Sequence, residues 1–453
     1  LKDLHEFIDF IKKNYPEEIR EIDEEVSADY EITAIAMESE KGTNPMLFFT
    51  NVKGSQFPIV TNVLGTRRRI ALAIGTDPNE FHSTWGERTQ KLIKPEVIKT
   101  GPVKEMKMIG EEVDLNKLPI FKHFEQDAGK YITSGVVVAK DPETGSRNLS
   151  FHRLQLAGKN KFRTSMHSRG HLWRIYQKAE KMGRPLGVAV FIGASPTILL
   201  AAASKVAMGV DEYEIAGALM QEPVQLVECE TVDVEVPARA EMVIEGEIPP
   251  HIRENEGPFG EYTGYATGRS TNHVLNVRAI TFRKNAIYQD IVPGNSSEHL
   301  LLGRVSKEAH IFRRMKEAVP NLKSINWPRS GTHFHSYLSL SEPIDEGQAN
   351  HVALLLLGLD SYLKLVVVVD EDIDVYNEEE VLWAVATRMQ PDRDINVVKN
   401  VFCNKLDPSA YGEGTSAKLI IDATKKGRWT FDKLTFPKEA LDKARQIVKN
   451  YKI

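Results

Sequence analysis

The stretch Asp141-Pro142-Glu143-Thr144-Gly145-Ser146-Arg147-Asn148-Leu149-Ser150-Phe151-His152-Arg153-Leu154-Gln155-Leu156 carries the strongest fold signal in the chain. Asp-Pro-Glu-Thr-Gly is a strong turn. Aspartate bonds to the backbone ahead of it, proline presets φ, and glycine accepts the left-handed position. Before the turn, Tyr131 to Ala139 is strand-like; after it, Asn148 to Leu156 alternates. Strand-like runs about a strong turn point to antiparallel β structure. Gln225 to Val236, Glu241 to Glu245 and His273 to Ile280 alternate again, which predicts an antiparallel sheet or barrel from Leu118 to about Ile291. A helix over His171 to Met182, stopped at Gly183, interrupts it.

Both flanks read as α/β. Leu4, Phe7, Ile8 and Ile11 form one helical stripe. Glu31 to Met37, Met46 to Phe49 and Pro58 to Asn62 read as strands, with turns at Gly54 and Gly65, and Arg69 to Ile74 suits a helix. Pro95 and Gly101-Pro102 mark a linker. In the last third, Ala349 to Leu357 suits a helix stopped at Gly358, and Leu363 to Val369 suits a buried strand. Glu378 to Arg388 is helical, and Ala440 to Lys449 is an amphipathic terminal helix fit to pack on another subunit.

The 453 residues fit two to four domains. Lys plus Arg is 58 and Asp plus Glu is 63, a formal charge of −5 that gives no electrostatic argument for nucleic acid. Arg67, Arg68 and Arg69 read as a solvated helix start. Two cysteines, Cys229 and Cys403, make no disulfide framework, so the chain is expected to be cytoplasmic. The longest apolar runs, around Val366 to Val369 and Leu199 to Ala203, are too short to span a bilayer. Neither a Rossmann nor a Walker glycine motif is present, nor the Gly-x-Ser-x-Gly elbow of an esterase.

Four places can carry chemistry. Glu256-Gly257-Pro258-Phe259-Gly260-Glu261 sets two carboxylates about a tight turn, which suits acid/base work or, more plainly, a solvated loop. Asn148, His152, Arg153 and Gln155 crowd one strand that is otherwise an edge with one wet face. Asn148 and Arg153 fall on opposite faces of a regular strand, so one site can use both only if the strand bulges or ends between them. Arg163 to His171, with Arg163, His167, Arg169 and His171, precedes a helix, where arginines and free amides favour phosphate. Glu212, before an apolar helix, suits either the helix dipole or, with Asn and His, a hard-metal site.

Together these motifs resemble, over nearly the whole chain and in order, the UbiD-like decarboxylases, especially the ferulic acid decarboxylase branch. Asn148 to Arg153 resembles the family's cofactor-and-metal strand, and His171 stands at the matching spacing. Glu212 to Gly217 resembles the third ligand motif, and Glu256 to Glu261 the acid loop. Val366 to Asp374, Asp392 to Asp394 and Asp422 to Lys425 resemble the C-terminal domain. Gly170 and Glu261 depart from some members; Glu261 replaces an aspartate of quinone-pathway enzymes, which argues against that role.

The resemblance implies an α+β and α/β multidomain fold. An N-terminal α/β domain would span 1–115, a central split β-barrel that binds prenylated FMN 116–305, and a C-terminal α/β oligomerisation domain 306–453. It implies a divalent metal, Mn2+ or Mg2+, on Asn148, His171 and Glu212, bridging to the cofactor phosphate, with K+ nearby. Ser150, Phe151, His152, Arg153, Ser165, Met166, Gly170 and Lys364 would join those ligands around the cofactor. Arg153, Glu256 and Glu261 would be catalytic, with Glu261 protonating carbon after carbon dioxide leaves. The implied substrate is an aromatic, heteroaromatic or α,β-unsaturated carboxylic acid, with a phosphorylated isoprenoid acid as the alternative. His299, Arg304, Lys307, His333 and His335 are candidates for a second anionic group. A flavin prenyltransferase would supply the cofactor, and a homodimer or homohexamer is implied. An FMN carrier or a non-catalytic assembly subunit is the alternative of another class; it has no need of the Arg153, Glu256 and Glu261 trio.

Overall fold

In the computed structural model, residues 1–166, 170–412, 414–425 and 429–451 are described. The Asp141 turn forms as its residues require. The Asp141 carboxylate accepts the amides of Glu143 (2.9 Å) and Thr144 (3.4 Å), and Gly145 takes a φ of 74°. Val136–Lys140 and Arg147–Phe151 pair antiparallel on either side, with Ala139 opposite Asn148.

The hairpin then breaks. Its continuation pairs Tyr131–Ile132 with Leu154–Gly158, and residues 133–135 and 152–153 between the halves belong to no strand. The two halves lie at opposite ends of one path. It runs through Tyr131–Ile132, Leu154–Gly158, Lys161–Thr164, Ser270–Phe282, Met242–Ile248, Leu186–Ile192, Val136–Lys140 and Arg147–Phe151. A sheet whose end strands are joined by such short links must curl until its ends meet. The result is a barrel split along one seam, which the His152 amide bridges to the Gly135 carbonyl at 3.5 Å.

The barrel strands Val136–Lys140, Leu186–Ile192 and Met242–Ile248 are buried on both faces. Val137, Ala139, Val188, Val190, Met242 and Ile244 feed one core; Val136, Val138, Ala189, Phe191 and Val243 feed another. Strands buried on both faces read as continuous apolar runs rather than clean alternation. At Gly246 the register shifts, and a Cβ there would lie 2.2 Å from the Asn276 carbonyl oxygen. Glycine is the residue that permits this bulge.

The flanking domains interlock with the barrel. Ile19–Ile22, Met46–Phe49 and Ile59–Thr61 form a small sheet whose last strand, Tyr288–Gln289, arrives from beyond the barrel. Met106–Ile109 pairs with the long barrel strand Ser270–Phe282. Gln225–Glu228 and Glu235–Pro237 build a separate sheet with Glu96–Val97 rather than joining the barrel. The C-terminal sheet runs Leu322–Asn326, His335–Leu340, Leu365–Asp370, Thr415–Ala423, Ile395–Phe402. Helix Gln348–Leu359 and the end of Ser297–Ala318 cover one face, and Glu378–Arg388 covers the other.

Three expectations are corrected. Glu31 to Met37 is not a strand but part of the helix Glu31–Ser39. Its Ala and Met residues favour helix, and Ile32, Thr33 and Ala36 bury one helical face. Gly358 lies inside the helix Gln348–Leu359, which Asp360 terminates. The triple arginine starts the helix Arg67–Ala73 as expected and Arg68 is exposed, but the other two are drawn inward. Arg69 is 0% exposed, pairs with Glu18 at 2.6 Å, and donates to the carbonyls of Asn44, Asn62 and Val63. Arg67 grips Glu308 with two bonds of 2.8 and 2.9 Å. Among the described residues no helix is long and apolar enough to cross a membrane.

Candidate active site

The seam lets one strand present side chains in two directions. Asn148, Ser150 and His152 alternate on one side. Asn148 Nδ2 donates to Ser150 Oγ at 3.1 Å, and Ser150 Oγ meets His152 Nε2 at 2.9 Å. His152 Nδ1 donates to the Ser165 carbonyl at 3.2 Å. The strand then breaks, so Arg153 is freed from the alternation and turns to the acid loop.

There the structure brings Arg153, Glu256 and Glu261 together. Arg153 donates from Nε and Nη2 to the two oxygens of Glu256, both at 2.9 Å, and from Nη1 to Glu261. Asn272 Nδ2 adds a bond of 2.9 Å to Glu256, which is 0% exposed. The Phe259 ring lies 4.8 Å under the guanidinium, with Tyr131 4.7 Å from the same ring. Burial alone would lower the Arg153 pKa, but Glu256 and Glu261 outweigh it and hold it above the ordinary arginine value. Burial, then Glu256, pushes the Tyr131 phenol well up. The loop needs its glycines: Gly257 has a φ of 82°, and a Cβ on Gly260 would lie 2.6 Å from the Phe124 ring.

A second corner lies on the other side of the seam. Helices His171–Lys181 and Glu212–Met220 both pack on the strand carrying Asn148. Asp211 caps the second helix through the Tyr213 amide, and Arg147 holds Asp211. Buried Glu212 accepts the Leu149 amide at 2.8 Å; its burial, eased by that bond, pushes its pKa up to about 8. Burial and Arg174 keep His171 below its usual value, hence neutral, as a ligand must be. Among the described residues Glu212 has no cation partner; a buried carboxyl of this kind, with Asn148 on the strand and His171 on the other helix packed against it, could serve a hard divalent metal. Helix His171–Lys181 starts at Gly170 without a side-chain cap, which leaves amides for a phosphate. Buried Met166 precedes it. His167 and Arg169 lie outside the described residues.

The C-terminal domain contributes a third wall. His299 Nδ1 donates to the Gly294 carbonyl at 2.8 Å; burial lowers its pKa against the nearby charge of Glu261. His333 packs edge-on to Tyr262 at 4.8 Å. Burial, then Lys307, Arg304, His299 and Lys205, hold it far below normal. Lys307 pairs with Asp360 at 2.6 Å, and Arg304 bonds the Trp327 carbonyl. Lys364 is engaged by Asp407 at 3.1 Å and Ser409 at 2.5 Å, and burial keeps His335 low. Tyr131, Asn272, Tyr262 and Lys205 escaped sequence reasoning because only tertiary pairing brings them to the site.

The fold is a split barrel between two α/β domains that carries an Arg-linked pair of carboxylates. Sequence profiles of the 3-octaprenyl-4-hydroxybenzoate carboxy-lyase N-terminal, Rift-related and C-terminal domains match residues 13–89, 96–296 and 300–423. The chain belongs to the UbiD family and is a decarboxylase. It is 35% identical to the anhydromevalonate phosphate decarboxylase of Methanothermobacter thermautotrophicus, over 90% of this chain and 94% of that one. It is 31% identical to the phenolic acid decarboxylase of Sedimentibacter hydroxybenzoicus, over 93% and 91%. The UbiD-class enzyme HmfF of Pelotomaculum thermopropionicum, solved with FMN, superposes with a TM-score of 0.92 at 39% identity, covering 97% of this chain and 98% of that one. An evolved dimeric form of HmfF was solved with prFMN.

Proposed function

We propose that this protein binds prenylated FMN with Mn2+ or Mg2+ and K+, and reversibly decarboxylates an aromatic, heteroaromatic or α,β-unsaturated acid, with Glu261 as proton donor. The observation that carries this is the clamp of Arg153 on Glu256 and Glu261. When bound, the prenylated flavin supplies the electron sink that loss of a carboxylate requires. Asn148, His171 and Glu212 would hold the metal, and the amides after Gly170 would help to hold the cofactor phosphate. Ser150, Phe151, His152, Ser165 and Met166 line the cofactor, with Lys364 at its C-terminal side.

The clamp is asymmetric, and the asymmetry assigns roles. Glu256 is fully buried and held by two Arg153 bonds plus Asn272, so it stays in place as the fixed counter-ion. Glu261 has one Arg153 bond and is the partner able to move. To deliver a proton to carbon it must leave Arg153. An FMN carrier or an assembly subunit has no use for such an arrangement.

A second substrate reading rests on the cations around His333. Lys205, Arg304 and Lys307 all bear on His333, while of the neighbouring carboxylates Glu308 is also gripped by Arg67. Lys205, Arg304 and Lys307 suit a second anionic group, as on a phosphorylated acid, the class named for the 35% identical relative. We also infer a cytoplasmic homodimer or homohexamer, supported by its exposed terminal helix, and a flavin prenyltransferase as cofactor supplier.

The test is expression with and without a flavin prenyltransferase, in Mn2+ and K+, with mass and absorbance of the bound flavin recorded. Cinnamate, furan dicarboxylate, pyrrole carboxylate and a phosphorylated unsaturated acid are then supplied anaerobically. Carbon dioxide release that Glu261→Gln abolishes while flavin stays bound is the expected result. Absence of release from every acid would sink the mechanism.

A further inference from the structure

The segment 124–131 crosses the back of the acid loop. Glu125, Gln126, Ala128 and Lys130 in it are exposed, yet Asp127 is only 3% exposed. Its carboxylate spends its two oxygens on backbone. Oδ2 accepts the Phe124 amide at 2.9 Å, and Oδ1 accepts the Gly260 amide at 2.8 Å. The next residue continues the contact, since the Ala128 amide donates to the Pro258 carbonyl at 2.8 Å.

The acid loop is thus held on both edges. On one, Phe259–Gly260 pairs with Ala266–Thr267, and the Glu261 amide donates to Tyr265 at 3.0 Å. On the other, Asp127 and Ala128 take the places of a missing strand. Phe124 fills the space that side chains at Gly260 and Gly294 would need. Without Asp127 the buried Gly260 amide would be left unpaired, one residue from Glu261.

We propose that Asp127 is a positioning residue. It fixes the Gly260 peptide so that the Glu261 carboxyl stays within reach of Arg153 and of the reacting carbon. The role rests on Glu261 being the proton donor. Asp127→Asn preserves size but turns an NH2 toward one of two amide donors whichever way it is oriented.

Two measurements on the flavin-loaded full-length protein test this. Hydrogen exchange by mass spectrometry follows the peptide containing 257–261, and steady-state kinetics use whichever of the four acids above is turned over fastest. In Asp127→Asn the loop peptide is expected to exchange about ten-fold faster or more. Flavin absorbance and melting temperature should hold, with kcat falling at least about ten-fold and KM staying within about two-fold. Unchanged loop exchange overturns the proposal, as does a wild-type kcat. A kcat loss matched by lost flavin and a lowered melting temperature also overturns it, because the effect is then on the fold. The exchange measurement needs no substrate. If Glu261→Gln retains full turnover, the donor assignment fails, while loop exchange still decides whether Asp127 holds the loop.

Discussion

Arg153 balances two carboxylates, and its loss should be felt in stability as well as rate. Arg153→Ala leaves Glu256 buried without its cation. Removing one partner of a buried pair costs about 3–5 kcal/mol, so the urea midpoint of Arg153→Ala should fall clearly below that of wild type. Arg153→Lys keeps the charge but cannot reproduce the fork; turnover should drop while much of the stability returns. A different residue contributes to the pH response of the fold. Glu298 accepts the Leu64 amide at 2.8 Å and is otherwise enclosed. Burial pushes its pKa up to about 8 from 4.5. The folded chain therefore holds a proton there that the unfolded chain releases. The resulting stabilisation is full below about pH 4.5 and is lost as pH rises toward 8. Glu298→Gln should flatten this slope, leaving the melting temperature near wild type at acidic pH and above it beyond pH 8.

At the scale of elements, the site depends on where strands and helices stop. The break at 152–153 lets Asn148 and Arg153 face different corners of one site. Asp211 starts the helix that begins with Glu212, and Arg147 pins it through bonds of 2.8 and 2.7 Å. Replacing an aspartate cap by alanine costs about 0.5–2 kcal/mol. Asp211→Ala should therefore lower stability by that order and weaken Mn2+ binding, measured by calorimetry on the flavin-loaded protein. Gly246→Ala should be worse tolerated, because its Cβ meets backbone oxygen at 2.2 Å rather than a movable side chain.

For the whole molecule, the terminal segment is the least satisfied part. Phe431 is 74% exposed, Leu434 97% and Phe436 72%, and helix Lys438–Tyr451 buries nothing in its own chain. A 14-residue helix is marginal alone in water, and its stripe of Leu441, Ala444, Ile447, Val448 and Tyr451 needs a partner. Deletion of residues 430–453 should convert an oligomer to a monomer in light scattering after gel filtration, with far-UV dichroism of the remaining sheets retained. The turn at Asp141, the order of the chemical motifs and the acid-loop glycines were legible in sequence, since turn chemistry and alternation are local. The helix Glu31–Ser39 was misread because β-branched Ile32 and Thr33 carry a strand signal that helix-face burial overrides. Arg69 was misread because a run of charge says nothing about the carbonyls that surround it. The sequence by itself determined which side chains are available and which turns they make. Only the tertiary structure decided that the barrel splits at 152–153, that Arg153 reaches across to Glu256 and Glu261, and that Asp127 backs their loop. Those contacts join distant segments, and closure of the sheet, not local propensity, brings them within bonding distance.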